Sequence, residues 1–321
     1  MNYFLKPHSL DITKLIENHR GKKIEELFPD YKIISNTMGQ FIKLLWDLDD
    51  FPLDYDLLNT KKNLLYNLKT VFNIGGSIEN RLRNRGIRTI NDLKHSLRYR
   101  TSATEVLQAI KKKNFKNLME NRYICDLDVV FCFNLEDFLF IDIETLGIYN
   151  SPMFMVGIGY FSNQKYKIHI LFARNLEEEI AICEHLKNKV LPRFKCFVSY
   201  NGKSFDIPFI ANRFLYFFDE NPMISSDQIP YKKSNTIYHH VDLYHNCRRK
   251  FKNEFENFSL TNMEEKLLGF LRINDIPSEL MGVCYRKYLN DPNRYAGLIK
   301  ECIEHNYYDV YSLPLILKKL L

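Results

Sequence analysis

The stretch LEDFLFIDIETLG at residues 135–147 decides the fold of this chain. It is an apolar run that ends in acidic residues, and two more apolar runs follow, MFMVGIGYF at 153–161 and YKIHILFA at 166–173. Runs of this length and composition are typical of buried strands. The polar residues around Ser162–Lys165 predict that the last two runs form a hairpin.

The segments after this hairpin alternate between helix and strand patterns. NLEEEIAICEHLKNKVLPRF (175–194) is amphipathic and predicts a helix, and KCFVSYN (195–201) predicts a short strand. SFDIPFIANRFLYFF (204–218) then predicts a helix, TIYHHVDLYH (236–245) predicts a final strand, and the remaining sequence is helical in pattern. This order indicates an α/β domain with a mixed sheet.

Composition excludes several classes of protein. Hydrophobic residues make up 45% of the chain and charged residues 26%, which excludes a disordered or fibrous chain. No apolar run reaches the roughly 20 residues that a membrane span needs, and the first residues do not resemble a signal peptide. The seven cysteines are scattered without a CxxC pair, so we expect no disulfide framework and a cytoplasmic location.

Charge is distributed unevenly along the chain. Residues 61–122 contain 15 Lys and Arg against 4 Asp and Glu, whereas the rest contains 30 basic and 35 acidic residues. Glycines punctuate the basic stretch, and apolar residues recur in it at helical spacing. We therefore distinguish an N-terminal segment without an assigned role (1–60), a basic helical module (61–122) and an α/β domain (123–321). The module either binds a polyanion or presents a solvated helical surface.

Asp142 and Glu144 are two residues apart at the end of the first predicted strand of the α/β domain. The period of a strand places both carboxylates on one face. Uncompensated buried charge is costly, and hard divalent cations prefer oxygen ligands, so a metal ion is a natural partner. The alternative is a solvated carboxylate pair, or one that is bound to Lys or Arg.

Three other acidic residues have patterns that could matter. Asp206 follows an Asn-Gly turn at a predicted helix start, where it could also be a helix cap. Asp309 lies four residues after His305 on a late predicted helix, so the two share a face and could simply form a surface pair. Asp242 lies near the end of the last predicted strand, and we favour a structural role for it over one beside the metal ligands.

Taken together, DIET, NGKSFD and H-x-x-x-D resemble the three motifs of the DnaQ-like, or DEDD, 3′–5′ exonuclease superfamily. Order and spacing over residues 135–321 resemble the YprB-type branch. The resemblance implies an RNase H-like fold with a five-stranded mixed sheet. It also implies that four carboxylates hold two Mg²⁺ or Mn²⁺ ions; in this sequence they are Asp142, Glu144, Asp206 and Asp309.

The same resemblance implies roles for individual residues. Asp142 would bridge the two metals, Glu144 and Asp309 would complete the site of the metal that binds the nucleophile, and Asp206 would hold the second metal through water. His305 would orient or deprotonate the attacking water, although the main subgroups place Tyr four residues, or His five residues, before the Asp. The residues expected to meet the terminal nucleotide are Thr145, Leu146, Asn201, Lys203, Ser204 and Phe205.

The sequence VFNIGGSIENRLRNRGIRTINDL at 71–93 resembles a helix-hairpin-helix, a motif that binds DNA backbone without reading sequence. Amides near a helix N-terminus bind phosphate, so we expect Gly75 and Gly76 to contact nucleic acid together with Arg81 and Arg85. The first glycine of the motif is replaced here by Asn73, a residue that tolerates left-handed φ. A purely structural or protein-binding bundle is the alternative.

These patterns lead to one functional expectation and its alternatives. We expect a metal-dependent 3′–5′ exonuclease that cleaves phosphodiester bonds of single-stranded DNA or DNA ends with two divalent ions. The first alternative is RNA as the substrate, or internal cleavage by the same site. The second is a non-catalytic nucleic-acid-binding protein. DNA is favoured over RNA as the partner, no membrane is expected, and a protein partner stays open.

Overall fold

The computed structural model describes residues 12–223, 237–272 and 275–321. Over these ranges the strands are β1 (Tyr31–Asn36), β2 (Gly39–Leu48), β3 (Phe138–Thr145), β4 (Met153–Ser162), β5 (Lys165–Phe172), β6 (Cys196–Ser199) and β7 (His239–Asp242). The α-helices are α1 (Ile12–His19), α2 (Ile24–Leu27), α3 (Leu57–Tyr66), α4 (Gly76–Asn84), α5 (Arg100–Lys111), α6 (Phe115–Met119), α7 (Glu179–His185), α8 (Asp206–Phe218), α9 (Leu243–Phe251), α10 (Leu260–Met263), α11 (Met281–Asn290) and α12 (Pro292–Leu320). Short 3-10 helices span Leu68–Thr70, Ile90–His95, Asp126–Cys132, Leu135–Asp137, Leu176–Glu178, Leu191–Arg193 and Ser278–Leu280, and π-helical turns span Leu186–Val190 and Glu264–Leu268.

The strands form one mixed sheet in the order β1-β2-β5-β4-β3-β6-β7. Strands β3, β6 and β7 are parallel to one another, and the other neighbouring pairs are antiparallel. The turn from β4 to β5 is made by Asn163 and Gln164, which both have left-handed φ. The predicted α/β fold with a mixed sheet flanked by helices is therefore confirmed.

The sheet has seven strands in the described residues instead of the expected five, because the N-terminal segment adds β1 and β2. Strand β2 pairs antiparallel with β5, and Ile42, aligned with Phe172, is fully buried. Residues before the helical module are thus part of the same sheet as residues after it.

The last predicted strand is shorter than expected. Strand β7 ends at Asp242, because its side chain accepts a hydrogen bond from the backbone N–H of Tyr244 and so caps α9. The strand prediction for residues 243–245 is therefore wrong. Thr236, where that prediction began, lies outside the described residues.

Helices cover both faces of the sheet. Apolar side chains of α9, α11 and α12 pack against one face, and those of α7 and α8 pack against the other. Helix α12 continues through Pro314, which leaves the carbonyl of Val310 without its helical donor. The Tyr166 hydroxyl donates to that carbonyl at 2.9 Å, so β5 compensates for the proline and holds α12 on the sheet.

The helical module has an apolar core of its own. It is formed by side chains from α3 to α6, among them Leu64, Leu82 and Ile110, and Val129 and Phe131 complete it.

A turn that contains Asn73 connects the 3-10 helix Leu68–Thr70 to α4. Asn73 has a φ of 63°, so it takes the left-handed conformation that a glycine would otherwise supply.

Candidate active site

Three of the predicted site residues lie together where β3 meets α12. One ligand atom each from Glu144, His305 and Asp309 lie within 4.8 Å of one another, and all three residues are buried. Asp142 faces the same helix, because its Oδ2 accepts a hydrogen bond from Asn306 Nδ2 at 2.7 Å. The two acidic residues of the β3 motif therefore share a face, as the strand period predicts.

Gly157 on the neighbouring strand β4 permits this approach of α12. A Cβ atom at Gly157 would lie 2.4 Å from Asn306 Oδ1 and 2.6 Å from Val310 Cγ2. Gly157 is aligned with Asp142 across the β3–β4 pair. A glycine at this position lets the helix bring Asn306 within reach of the Asp142 carboxylate.

Asp206 reaches the site from the other side, through the loop that follows β6. It is the first residue of α8, and Phe205 occupies the cap position before it. Its Oδ1 accepts a hydrogen bond from the backbone N–H of Ile143 at 3.1 Å, between the two acidic residues of β3. Asp206 is therefore directed at β3 and does not cap its own helix.

Burial and mutual repulsion raise the pKa values of three of these carboxylates. Burial, together with the charges of Asp309, Asp206 and Glu144, raises the pKa of Asp142 well above its usual range. Burial raises the pKa of Glu144 to about 8 and that of Asp206 to about 7. The ionised forms of these groups lack compensating charge, which is the condition that a bound cation relieves.

Asp309 and His305 have the opposite electrostatic environment. Burial alone would raise the pKa of Asp309, but His305 and Arg272 lower it. The His305 Nε2 lies 3.2 Å from Asp309 Oδ2, and its Nδ1 lies 2.5 Å from Asp275 Oδ1. Although burial opposes it, these carboxylates raise the pKa of His305 to about 11. The pair predicted from sequence exists, and it is buried instead of lying on the helix surface.

Arg272, Asp275 and Asn306 are site residues that the sequence patterns missed. The Arg272 guanidinium bridges Asp309 Oδ1 at 2.5 Å and Glu264 Oε1 at 2.6 Å, and its side chain is 3% exposed. Arg272 and Asp275 come from a segment between helices, where no periodicity marks a functional residue. Asn306 directly follows His305, so only its proximity to the third motif could have drawn attention to it.

The residues expected to meet a nucleotide lie on two loops at this edge of the sheet. Thr145, Leu146 and the residues that follow leave β3, and residues 201–205 leave the adjacent parallel strand β6. Thr145 Oγ1 donates to the carbonyl of Gly147, and Arg286 donates to the carbonyl of Leu146. The loop residues after β6 are Asn201, Lys203, Ser204 and Phe205.

Two of these loop residues have structural partners. The Lys203 Nζ forms an ion pair with Asp126 at 2.5 Å, and the Asn201 N–H donates to Asp242 at 2.9 Å. Asp242 is fully buried, in keeping with the structural role favoured for it.

The residues of the helical module that are expected to contact phosphate lie on α4 or at its two ends. Gly75 caps this helix and Gly76 is its first residue. Arg81 and Arg85 are exposed, whereas Arg83 bonds the carbonyl of Tyr66 and the carboxylate of Glu79.

The chemistry of the donor set fits divalent metal ions. Asp142, Glu144, Asp206 and Asp309 supply only carboxylate oxygens, and hard cations prefer oxygen ligands. Within the described ranges, no helix combines the length and apolar character needed to cross a membrane.

Comparison with known proteins agrees with this geometry. A family model described as the RNase H superfamily matches residues 139–321. The chain is 28% identical over 186 residues to a protein of Bacillus subtilis (strain 168) named "Uncharacterized protein YprB". That alignment covers 56% of this chain and 41% of the relative, so the chain spans less than half the length of the curated relative it matches.

Proposed function

Because this chain belongs to the RNase H superfamily, and acidic side chains from distant parts of it converge at one sheet edge, we propose that it is a metal-dependent 3′–5′ exonuclease of the DnaQ-like kind. The observation that carries the proposal is the convergence of Asp142, Glu144, Asp206 and Asp309. These residues come from the three motifs of that superfamily. Like-charged carboxylates rarely share a buried site without a cation.

The four carboxylates would hold two Mg²⁺ or Mn²⁺ ions. When bound, such ions activate water and stabilise charge on the attacking and leaving oxygens of a phosphodiester. Asp142 is suited to bridging them, because the Asp309, Asp206 and Glu144 charges all act on it. Asn306 holds the Asp142 carboxylate in place through its side-chain amide.

His305 is the residue that we assign to the attacking water. Asp275 and Asp309 hold its two ring nitrogens, and its ligand atom lies within 4.8 Å of Glu144. The ring is therefore fixed beside the carboxylates, where its protonated form can orient the nucleophile. Taking up the proton of the nucleophile would require that metal binding to Asp309 first frees Nε2 and lowers the pKa of the ring. The loop residues 145–146 and 201–205 would position the terminal nucleotide.

The helical module supports DNA as the substrate. Its hairpin keeps the left-handed turn at Asn73 and presents exposed Arg81 and Arg85 on the helix that follows. Contacts of this kind bind the phosphate backbone independently of sequence. Single-stranded DNA and DNA ends are the substrates that such a module could bind through the phosphate backbone while the carboxylate site removes terminal nucleotides.

A degradation ladder tests the proposed function. The protein is incubated with Mn²⁺ and 5′-labelled single-stranded DNA or RNA of one sequence, with EDTA as the metal-free control. Asp142→Asn keeps the shape of the side chain and removes its charge, and we expect cleavage to fall at least about a thousandfold. Asp47→Asn, which removes a surface partner of Lys167, is the matched control and should cleave at the wild-type rate.

Each outcome of this assay has a definite meaning. Products that shorten one nucleotide at a time, faster on DNA than on RNA, support the proposal. Faster stepwise degradation of RNA would mean that RNA is the substrate and would leave the proposed chemistry unchanged. Discrete internal cuts point to an endonuclease. Absence of metal-dependent cleavage on both strands, with binding retained, contradicts the enzyme reading and favours a nucleic-acid-binding protein.

A further inference from the structure

A second cluster of polar groups, centred on a buried carboxylate, lies where the helical module joins the sheet. We call it the junction cluster, and its members are Asp126, Lys203, Asp242, Asn246 and Arg249. Asp126 begins the 3-10 helix Asp126–Cys132, whose later residues complete the core of the helical module. The other members belong to the α/β part of the chain.

Asp126 is the hub of the junction cluster. Its carboxylate accepts from Lys203 Nζ at 2.5 Å, Asn246 Nδ2 at 2.9 Å, Arg249 Nη2 at 3.0 Å and the backbone N–H of Asp242 at 3.1 Å. The side chain is only 4% exposed. The backbone N–H of Leu127 also donates to it, at 2.9 Å. Two cations and three further donors thus converge on one buried carboxylate, which fixes the end of β7 and the start of α9 against the module.

Asp242 carries this constraint onward to the loop at residues 200–205. Its Oδ1 accepts from the N–H of Asn201 at 2.9 Å, and its Oδ2 accepts from the N–H of Lys203 at 3.1 Å. Asn201 has a left-handed φ of 64°. Between them, a Cβ atom on Gly202 would lie 2.3 Å from Ser199 Oγ and 3.0 Å from Asp206 Oδ2. The loop backbone is therefore packed directly against the proposed metal ligand Asp206.

From these contacts we infer that Asp126 is a positioning residue for the loop at 200–205 and for Asp206. The catalytic consequence rests on the proposed function, whereas the structural consequence does not. Asp126 acts through Lys203 and through the Asp242 backbone, and it touches no proposed metal ligand itself. The geometry of one wall of the active site thus depends on a residue that is supplied by the module's own connection to the sheet.

The chain provides a matched control at the opposite end of β6. Asp137 forms an ion pair with Lys195 at 2.7 Å, immediately before β6, and so resembles the Asp126–Lys203 pair in chemistry. Asp137 precedes β3 and lies beyond the helical module, as Asp126 does. Lys195 does not belong to the loop at 200–205, so loss of this pair should leave the loop unchanged.

The test compares Asp126→Asn with Asp137→Asn by amide hydrogen exchange in the full-length, metal-free protein. We expect the N–H groups of Asn201 and Lys203 to exchange about tenfold faster in Asp126→Asn, and β4 amides to keep their wild-type rates. Lys203→Met removes the partly exposed partner of Asp126 and should also accelerate amide exchange in the loop at 200–205. It replaces Asp126→Asn as the test variant if Asp126→Asn does not fold. Equal exchange in the loop for the Asp126 and Asp137 variants, or uniform acceleration across the sheet, would overturn the inference.

Cleavage kinetics give the second readout. In Asp126→Asn we expect the Mn²⁺ concentration for half-maximal cleavage to rise about tenfold, as for other residues that orient metal ligands. Asp137→Asn should keep the wild-type value, and an unchanged value in Asp126→Asn contradicts positioning of Asp206. If the wild-type protein cleaves nothing, the proposed function fails, and hydrogen exchange still decides whether Asp126 holds the loop.

Discussion

The junction cluster and the proposed active site both bury carboxylates, but they treat them in opposite ways. Burial would raise the pKa of Asp126, yet the Lys203 ammonium and several hydrogen-bond donors lower it to about 2. Burial raises the pKa of Glu144 to about 8, and Asp309 and Asp206 add to the effect although the His305 charge opposes it. One region neutralises its charge with its own side chains, and the other leaves its charge to be neutralised by something that binds.

This difference separates structural from functional acidic residues better than burial does. A buried carboxylate that is paired with cations and amide donors holds parts of a fold together. Removing it leaves those partners without their acceptor. A group of buried carboxylates with too few cations destabilises the fold and is retained for what it binds. Asp309 is intermediate, because Arg272 and His305 pair with it while it still faces Glu144.

The largest expected effect is a difference of sign between two equivalent substitutions. In EDTA at about pH 8, Asp126→Asn should lower the free energy of unfolding by about 2 kcal/mol, because the buried Asn246 amide and the Asp242 N–H lose a charged acceptor. Lys203 and Arg249 are 39% and 48% exposed, so water can replace the anion for them. Asp142→Asn should raise it, because the substitution removes a carboxylate whose charged form is disfavoured by burial and by Asp309, Asp206 and Glu144. Urea unfolding followed by circular dichroism measures both values, and a loss of stability in both variants would break the comparison.

Metal binding should affect stability more strongly at high pH. Glu144 and Asp206 have folded-state pKa values of about 8 and about 7, above their ordinary values. At a pH between the ordinary and the raised value, each of these groups therefore holds more protons in the folded protein than in the unfolded chain. The contribution of these two groups to the free energy of unfolding of the metal-free protein therefore falls as pH rises from about 4 to about 8. Below about pH 6.5 it is opposed by His169, His185, His239 and His240, because burial lowers their pKa values. The increase in Tm on adding Mn²⁺ should be larger near pH 8 than near pH 5.5.

Asp142→Asn is the control for this pH dependence. With one charge fewer in the cluster, its metal-free stability should decline less steeply with pH, and Mn²⁺ should raise its Tm less. An increase in Tm with Mn²⁺ that is equal at both pH values in the wild-type protein would show that the carboxylates of the site do not titrate with metal binding.

The smallest effect extends the comparison from carboxylates to arginines. Arg81, Arg83 and Arg85 are all exposed. Arg83 has partners in Glu79 and Tyr66, whereas Arg81 and Arg85 form no ion pair within the described ranges. Arg81→Gln and Arg85→Gln should each flatten the dependence of log Kd on log salt by about 0.7 for single-stranded DNA, one phosphate contact each.

Arg83→Gln is the matched variant on the same helix. It should lower the thermal stability and leave the salt dependence close to that of the wild-type protein. Fluorescence anisotropy with labelled DNA across a salt series measures all three variants. An equal change in the salt dependence for all three would mean that an arginine with protein partners, such as Arg83, contacts phosphate as readily as one without them.

Much of the α/β architecture could be predicted because local patterns decide it. The apolar runs that became β3, β4 and β5 are long and unambiguous, and the spacing of Asp142 and Glu144 in β3 places both on one face. Strand β2 lies in the N-terminal segment, to which the sequence analysis assigns no role, and its place beside β5 is not predicted. Pairing between residues 42 and 172 is non-local, and no local pattern encodes it.

Residues of the candidate site could be predicted where they lie in a sequence motif. They could not be predicted where their role depends on tertiary contacts. Asp206 and Asp309 stand out in the sequence because each lies in a recognisable motif. Arg272 and Asp126 look like ordinary surface charges, and only tertiary contacts with Asp309 and with Lys203 reveal their importance. Partners of this kind lie 37 and 77 residues apart along the chain, a separation that pattern reasoning does not span.

The addition of β1 and β2 to the sheet has a practical consequence for anyone who cuts the chain. A fragment that starts near residue 123 would retain every proposed catalytic carboxylate, and its sequence would look like an intact nuclease. It would also strip β5 of its partner along Tyr166–Phe172, and leave an open, largely apolar edge of the kind that promotes aggregation. Insolubility of such a fragment would reflect the missing strands and would say nothing about the chemistry of the site.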